Sequence, residues 1–294
     1  MPATIHRYKK TRIAPTPSGF LHLGNVLSFA ITTTLARRSG AEILLRIDDL
    51  DRMRTNKQYL QDIFDTLNFL GIPWDEGPRN VKEFEQSYSQ LHRMDIYHEA
   101  IDELLNKPQL FACTCTRREL DNGSTCNCFE KRIPLTTENA SWRFITDDTA
   151  IEVKGYNGQM IRTALPAGMR NFILRKKDGF PAYQLTSVVD DIFYGVDLIV
   201  RGDDLWPSTL AQHQLALALG KDSFDQIAFY HHPLVVEPSG KKLSKSAGAT
   251  SVRYLRESGK SPADIFALIA DMAGIKEKVT NWQQLGEVML DRKI

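Results

Sequence analysis

The chain has 294 residues, 42% hydrophobic and 25% charged, with a formal net charge of +1. That length can bury a large core, and the near-neutral charge excludes a strongly basic body, so any nucleic-acid contact must come from local patches. No apolar run approaches the ~20 residues that span a bilayer and the opening MPATIHRYKK has no apolar signal core, so the expectation is a cytoplasmic protein without membrane contact.

Residues 12–14 read as the end of a short strand, and 15–19 as a Pro/Gly loop. Leu27, Ala30, Ile31 and Leu35 recur at helical spacing. They predict a helix over 26–38, with Arg37 and Arg38 in its last turn and Gly40 as its stop. AEILLRI, 41–47, is a nearly continuous apolar run, as in a strand buried on both faces. Further helices are predicted over 59–70 and 88–105. Strand, loop, helix and buried strand in that order argue for an α/β fold with a parallel sheet.

From Phe111 to about Arg170 the chain is rich in Cys, Thr, Gly and Asn, in short alternating segments, which predicts an inserted module. The α/β pattern returns with NFILRKKDGFPAYQLTSVVDD and DLIVRGDDL. A polar loop from about Pro233 leads to a tail with a helix over 262–273. The expected division is therefore 1–110, the first half of an α/β domain; 111–170, the insert; 171–232, its second half; and 233–294, a loop and short helical region.

Two stretches carry chemistry. TRIAPTPSGFLHLGN, 11–25, puts small residues and a histidine between a strand and a helix. In an open parallel sheet ligands sit at the carboxyl ends of strands, and a helix N-terminus offers N–H groups to phosphate. His22 adds a donor there, although a capping loop with an incidental histidine reads the same in isolation. KKLSKS, 241–246, holds lysines three apart between serines, suited to clamping a triphosphate, and by itself equally a solvated basic loop.

HLGN followed some 220 residues later by KLSKS resembles the paired signatures of class I aminoacyl-tRNA synthetases. RIAPTPSGFLHLGN, LRIDDLD with LGIPWDEGP, and AYQLTSVVDD with VDLIVRGDDL resemble the glutamyl/glutaminyl group, to about residue 270. About 45 residues follow KLSKS, from which no anticodon-binding domain is expected. Together with the cysteine module and CTCTRREL, the chain resembles the glutamyl-queuosine tRNA(Asp) synthetases. The resemblance implies a Rossmann-like catalytic domain that activates L-glutamate with ATP and attaches it to the queuosine base of tRNA(Asp), as a monomer. It makes His22, Lys242 and Lys245 the catalytic residues. His22, Gly24, Asn25, Lys242, Ser244 and Lys245 would bind ATP with Mg²⁺, and Arg12, Ala14, Thr16, Asp48, Tyr183 and Arg201 would bind glutamate. Asp48 departs from the glutamate used by most glutamyl members, whereas glutaminyl members use aspartate in a similar setting. Two pocket arginines still favour an anionic substrate.

Cys113, Cys115, Cys126 and Cys128 could close a structural Zn²⁺ site. The related family uses CxC, a tyrosine and a last cysteine; here Cys126 and Cys128 stand in for the latter pair. Reduced free thiols are the alternative, and a disulfide fits a cytosolic chain less well. Arg117, Arg118, Lys131 and Arg132 flank the cysteines and could meet RNA phosphates or simply face water. The rival functions are a truncated glutamyl-tRNA synthetase charging a 3′ end, a catalytically silent RNA- or glutamate-binding paralogue, and an adenylate-forming ligase that uses no tRNA.

Overall fold

The computed structural model describes residues 6–116, 118–119, 126–235 and 251–292. The KLSKS stretch, with Lys242, Ser244 and Lys245, and also Arg117, lie outside the described residues.

The chain opens with β1 (Lys10–Ile13), α1 (Leu23–Ser39) and β2 (Glu42–Leu45). β1 and β2 pair in parallel, from Lys10 opposite Glu42 to Ile13 opposite Leu45. Helices α2 (Lys57–Phe69) and α3 (Met94–Leu105) follow. The expected start of α3 near residue 88 is instead a π turn, Phe84–Tyr88, and a 3₁₀ turn, Gln90–Arg93. Ser89 caps that 3₁₀ turn with its side chain, which helical periodicity alone does not reveal.

Next come β3 (Leu110–Cys113), β4 (Ser141–Phe144), β5 (Ile151–Gly155), β6 (Met160–Thr163), β7 (Ile173–Arg175), α4 (Tyr183–Phe193), β8 (Leu198–Gly202), α5 (Trp206–Ala218) and β9 (Ala228–His232). α6 (Val252–Glu257), α7 (Pro262–Met272) and α8 (Trp282–Asp291) end the fold. β8 and β9 pair in parallel, β9 pairs in parallel with β5, and β6 runs antiparallel on β5. β1 lies beside β8, where the Asp197 N–H just ahead of β8 donates to the Lys10 carbonyl at 3.0 Å. The Asp197 carboxylate accepts from the N–H groups of Lys9 and Lys10.

β3, β4 and β7 form a separate antiparallel sheet. β5 lies within the 111–170 stretch read as an insert, yet it extends the parallel sheet, while β7 of the small sheet lies beyond residue 170. A short alternating strand looks the same whichever sheet accepts it, because its partners are remote in sequence.

The parallel sheet separates two apolar cores. Along β8, Leu198 and Val200 enter one core and Ile199 the other; on β9, Ala228 and Phe229 divide likewise. A strand covered on both faces reads as a continuous apolar run, and DLIV does. α1 is buried along nearly its whole length, ending at Gly40 with φ +79°, the left-handed stop that glycine accommodates. α8 packs across α1 at Gly286, where an added Cβ would meet Thr34 Oγ1 at 1.9 Å and the Ala30 carbonyl at 3.0 Å. No described helix is long and apolar enough to cross a membrane.

Candidate active site

A cavity of about 490 Å³ opens at the carboxyl ends of β1 and β8. Among its lining residues are Arg12, Ala14, Thr16, His22, Gly24, Asn25, Asp48, Tyr183 and Arg201, which are all the sequence-predicted pocket residues that are described. The loops after β1 and β2 are tied together by the Asp48 N–H donating to the Pro15 carbonyl at 3.0 Å, which brings Asp48 beside the opening loop.

His22 is the N-cap of α1. Its Nδ1 accepts from the Gly24 N–H at 3.1 Å, and Asn25 Oδ1 accepts from the His22 N–H at 3.0 Å. An accepting Nδ1 keeps the ring proton on Nε2, so the cap fixes the donor tautomer. A Cβ at Gly24 would crowd the His22 ring, 3.0 Å from Cε1 and 3.1 Å from Nδ1. The first turn of α1 carries no acidic residue, which keeps this helix end attractive to anions.

Three arginines meet at the floor, in different electrostatic states. Arg12 Nε donates to Asp191 Oδ1 at 3.0 Å. Arg46 grips both Asp48 oxygens, at 2.8 and 3.1 Å, and reaches Asp191 Oδ1 at 2.7 Å. Among the described residues Arg201 has no salt-bridge partner. Its Nη2 donates to Gln212 Oε1 at 2.9 Å, while Nε and Nη1 are buried without a partner among the described residues. At 3% exposure, burial lowers this guanidinium to about 10; Tyr183 opposes the shift, while the like charges of Arg12 and Arg46 add to it.

The carboxylates differ too. Burial raises Asp48, against the pull of Arg46. Burial also works to raise Asp191, but Arg12, Arg46 and Arg201 together hold it below the usual carboxylate range. Behind them Asp190 accepts from Arg93 at 2.9 and 3.2 Å, Tyr97 Oη at 2.7 Å and Gln90 Nε2 at 3.0 Å, a buried brace that carries the DD pair of α4. A buried guanidinium with unused donors, beside arginines already neutralised by carboxylates, is a site for an added anion.

Sequence reasoning assigned no role to Arg46, Asp190, Asp191 or Gln212. The signal was present for Arg46: a charged residue inside the apolar run AEILLRI, as Arg201 is inside VDLIVRG. At the mouth, Val235 lines the cavity and Ser251 forms a β-bridge with His22. The described residues on either side of 236–250, Val235 and Ser251, thus both lie beside the site.

The family model for tRNA synthetases class I (E and Q), catalytic domain, matches residues 9–288. The chain belongs to this family. As a class I synthetase of the glutamate and glutamine group it is a ligase. It is 36% identical over 281 residues to the glutamyl-Q tRNA(Asp) synthetase of Nocardia farcinica (strain IFM 10152), spanning 90% of this chain and 84% of that one. It is 34% identical over 271 residues to the glutamyl-Q tRNA(Asp) synthetase of Synechococcus sp. (strain CC9605), spanning 88% and 81%. Against glutamate–tRNA ligase 2 of Cereibacter sphaeroides (strain ATCC 17029 / ATH 2.4.9) it is 34% identical over 278 residues, spanning 88% of this chain and 60% of that one. The crystal structure of glutamate-tRNA synthetase from Elizabethkingia anophelis superposes with a TM-score of 0.73 at 24% identity, covering 95% of this chain and 65% of that one. The fold is therefore the mixed α/β, Rossmann-like fold of this synthetase class, with added helices.

Away from the cavity, this synthetase brings its four cysteines together. All four Sγ atoms lie within 4.8 Å of one another, with Cys113–Cys126 at 3.7 Å and Cys115–Cys128 at 3.5 Å. Zn–S bonds of about 2.3 Å in a tetrahedron place sulfurs about 3.8 Å apart, so the set fits that ion closely. Burial works to raise the Cys128 thiol, but hydrogen bonds from the Thr114 backbone and the neighbouring thiols bring it down to about 6. Arg118, Lys131 and Arg132 are exposed beside the cluster.

Proposed function

We propose that this synthetase activates L-glutamate with ATP and transfers it to the queuosine base of tRNA(Asp), as a cytoplasmic monomer. The observation that carries the glutamate reading is Arg201, a buried guanidinium with two unused donors on the cavity floor. A substrate carboxylate would supply the missing acceptors, and a neutral side-chain amide would not relieve the charge. Asp48 keeps its place for the substrate ammonium: each of its oxygens holds one Arg46 bond and has capacity for another.

The glutamate α-carboxylate attacks the α-phosphorus of ATP, the bond to the bridging oxygen breaks and pyrophosphate leaves. A hydroxyl of the acceptor then attacks the acyl carbon, loses its proton and expels AMP. No protein nucleophile is needed, so the chain contributes position and charge. His22 Nε2–H, the N-terminus of α1, and the Lys242 and Lys245 side chains would meet the triphosphate, with Gly24, Asn25 and Ser244 beside it. Mg²⁺ would travel with ATP and screen its phosphates. Cys113, Cys115, Cys126 and Cys128 would hold Zn²⁺ as a closed structural site, fastening the end of β3 to the segment after it. The queuosine acceptor is supported by the names of the two glutamyl-Q relatives described above.

The test is ATP–pyrophosphate exchange with glutamate, glutamine or aspartate, first without RNA and then with bulk tRNA. Glutamate-dependent exchange without RNA, followed by transfer of labelled glutamate to queuosine-containing tRNA, supports the reading. Exchange with glutamine would overturn the substrate, and label on a tRNA 3′ end would overturn the acceptor. Absence of exchange with every amino acid, with or without tRNA, would favour a silent binding paralogue.

A further inference from the structure

The catalytic cavity has a neighbour on the same sheet, against β5, β6 and β9. A second hollow of about 810 Å³ lies beside it, within the size range of small-ligand sites. The two share a wall. In the segment after β8, Gly202, Asp204 and Leu205 line the first cavity, while Asp203 and Trp206 line the second. At the end of β9, His232 lines the first and His231 the second.

The shared wall is aromatic on its far side. Trp206 meets His231 edge to face at 4.9 Å, and Tyr156 meets Tyr230 likewise at 6.1 Å. His231 shares a 2.9 Å hydrogen bond with Thr209 Oγ1, and burial, with the nearby Arg201 charge, lowers its imidazole to about 3. It is therefore an uncharged ring at neutral pH. Two charges lie on the boundary. Asp203 is exposed. Arg162, on edge strand β6, is 72% exposed at its side chain and only 4.0 Å from Glu152.

Aromatic faces stack a base that has left its helix, a carboxylate accepts paired N–H groups, and an arginine at the rim meets phosphate. We propose that this hollow seats the acceptor nucleobase: an extruded base with a guanine-type edge, its ring N–H and exocyclic amine toward Asp203 and its phosphate toward Arg162. A terminal adenine lacks that paired donor edge, so the hollow favours base modification over 3′-end charging. This inference rests on the reading of the first cavity given above and assigns its missing acceptor subsite.

The test compares two rates in each variant: glutamate-dependent exchange without RNA, which reports the first cavity, and transfer of labelled glutamate to queuosine-containing tRNA, which needs both. The variants are Asp203→Asn and Arg162→Ala, with Trp206→Ala and the milder Trp206→Phe in case the former fails to fold. The ratio of transfer to exchange should fall about tenfold or more in Asp203→Asn and Trp206→Ala, through a raised KM for RNA, and be partly restored in Trp206→Phe. Free guanosine should inhibit wild-type transfer, with cytidine much weaker. An unchanged ratio in both Asp203→Asn and Arg162→Ala, or equal inhibition by guanosine and cytidine, would overturn the assignment. Wild-type protein without glutamate-dependent exchange would instead strike the reading of the first cavity.

Discussion

Arg201→Met separates a substrate clamp from a structural cation, because the two roles predict opposite changes in stability. Burial pushes the folded guanidinium down to about 10 from an ordinary 12.5. At ~1.4 kcal/mol per pKa unit, keeping this charge buried costs the fold on the order of 3–4 kcal/mol. Methionine removes that cost and loses one bond to Gln212 and the ring contact with Phe229 at 5.1 Å, together about 2 kcal/mol. Urea melts should therefore show a variant as stable as wild type or slightly more so. The two unused N–H donors would each give a carboxylate about 1.5–3 kcal/mol, so kcat/KM for glutamate in pyrophosphate exchange should fall by roughly 10²–10⁴. The reasoning fails if exchange stays within tenfold of wild type. It also fails if the variant loses more than about 3 kcal/mol, for then Arg201 holds the fold together and the clamp assignment is wrong.

Asp191→Asn leaves the Arg12 and Arg46 guanidinium groups opposite a neutral amide in a buried site. It should cost about 3–5 kcal/mol in chemical denaturation, and a loss below 1 kcal/mol would show that this carboxylate does not hold the floor. The same group sets an acid limb. Its folded pKa lies below the unfolded value of 3.8, so its contribution is complete above that value and is lost as pH falls through the folded one. Wild-type stability should drop more steeply than that of Asp191→Asn on acidification below about pH 4. Gly24→Ala pushes its new Cβ into the His22 ring, and should lower exchange about ten- to a hundredfold with little change in melting temperature. For the cysteine cluster, metal analysis should find about one zinc per chain, removed by chelators together with a fall in melting temperature. Chains that purify free of metal with four titratable thiols would reject the site.

The legible parts were those with local causes. The α1 stop at Gly40, the buried strand in AEILLRI and the cysteine quartet follow from backbone freedom, apolar runs and ligand chemistry in adjacent residues. The opening stretch was legible as a Pro/Gly loop between a strand and a helix, and its reading as a ligand site came from its pairing with KLSKS rather than from the loop alone. The π and 3₁₀ turns ahead of α3 were not, since a side-chain cap interrupts a pattern that otherwise remains helical.

By itself the sequence determined the residue types that gather at the cavity and the order of the elements that deliver them. Only the tertiary structure decided their states. Arg12, Arg46 and Arg201 are chemically identical in the sequence, yet the first two share Asp191 and the third has no carboxylate partner among the described residues. Strand pairing likewise placed β5 against β9, remote from it in sequence, and so formed the second hollow beside the first. Charge state and pairing are both set by long-range neighbours, through burial and Coulomb interaction in one case and hydrogen-bond register in the other. Neither is a property of any short stretch of chain.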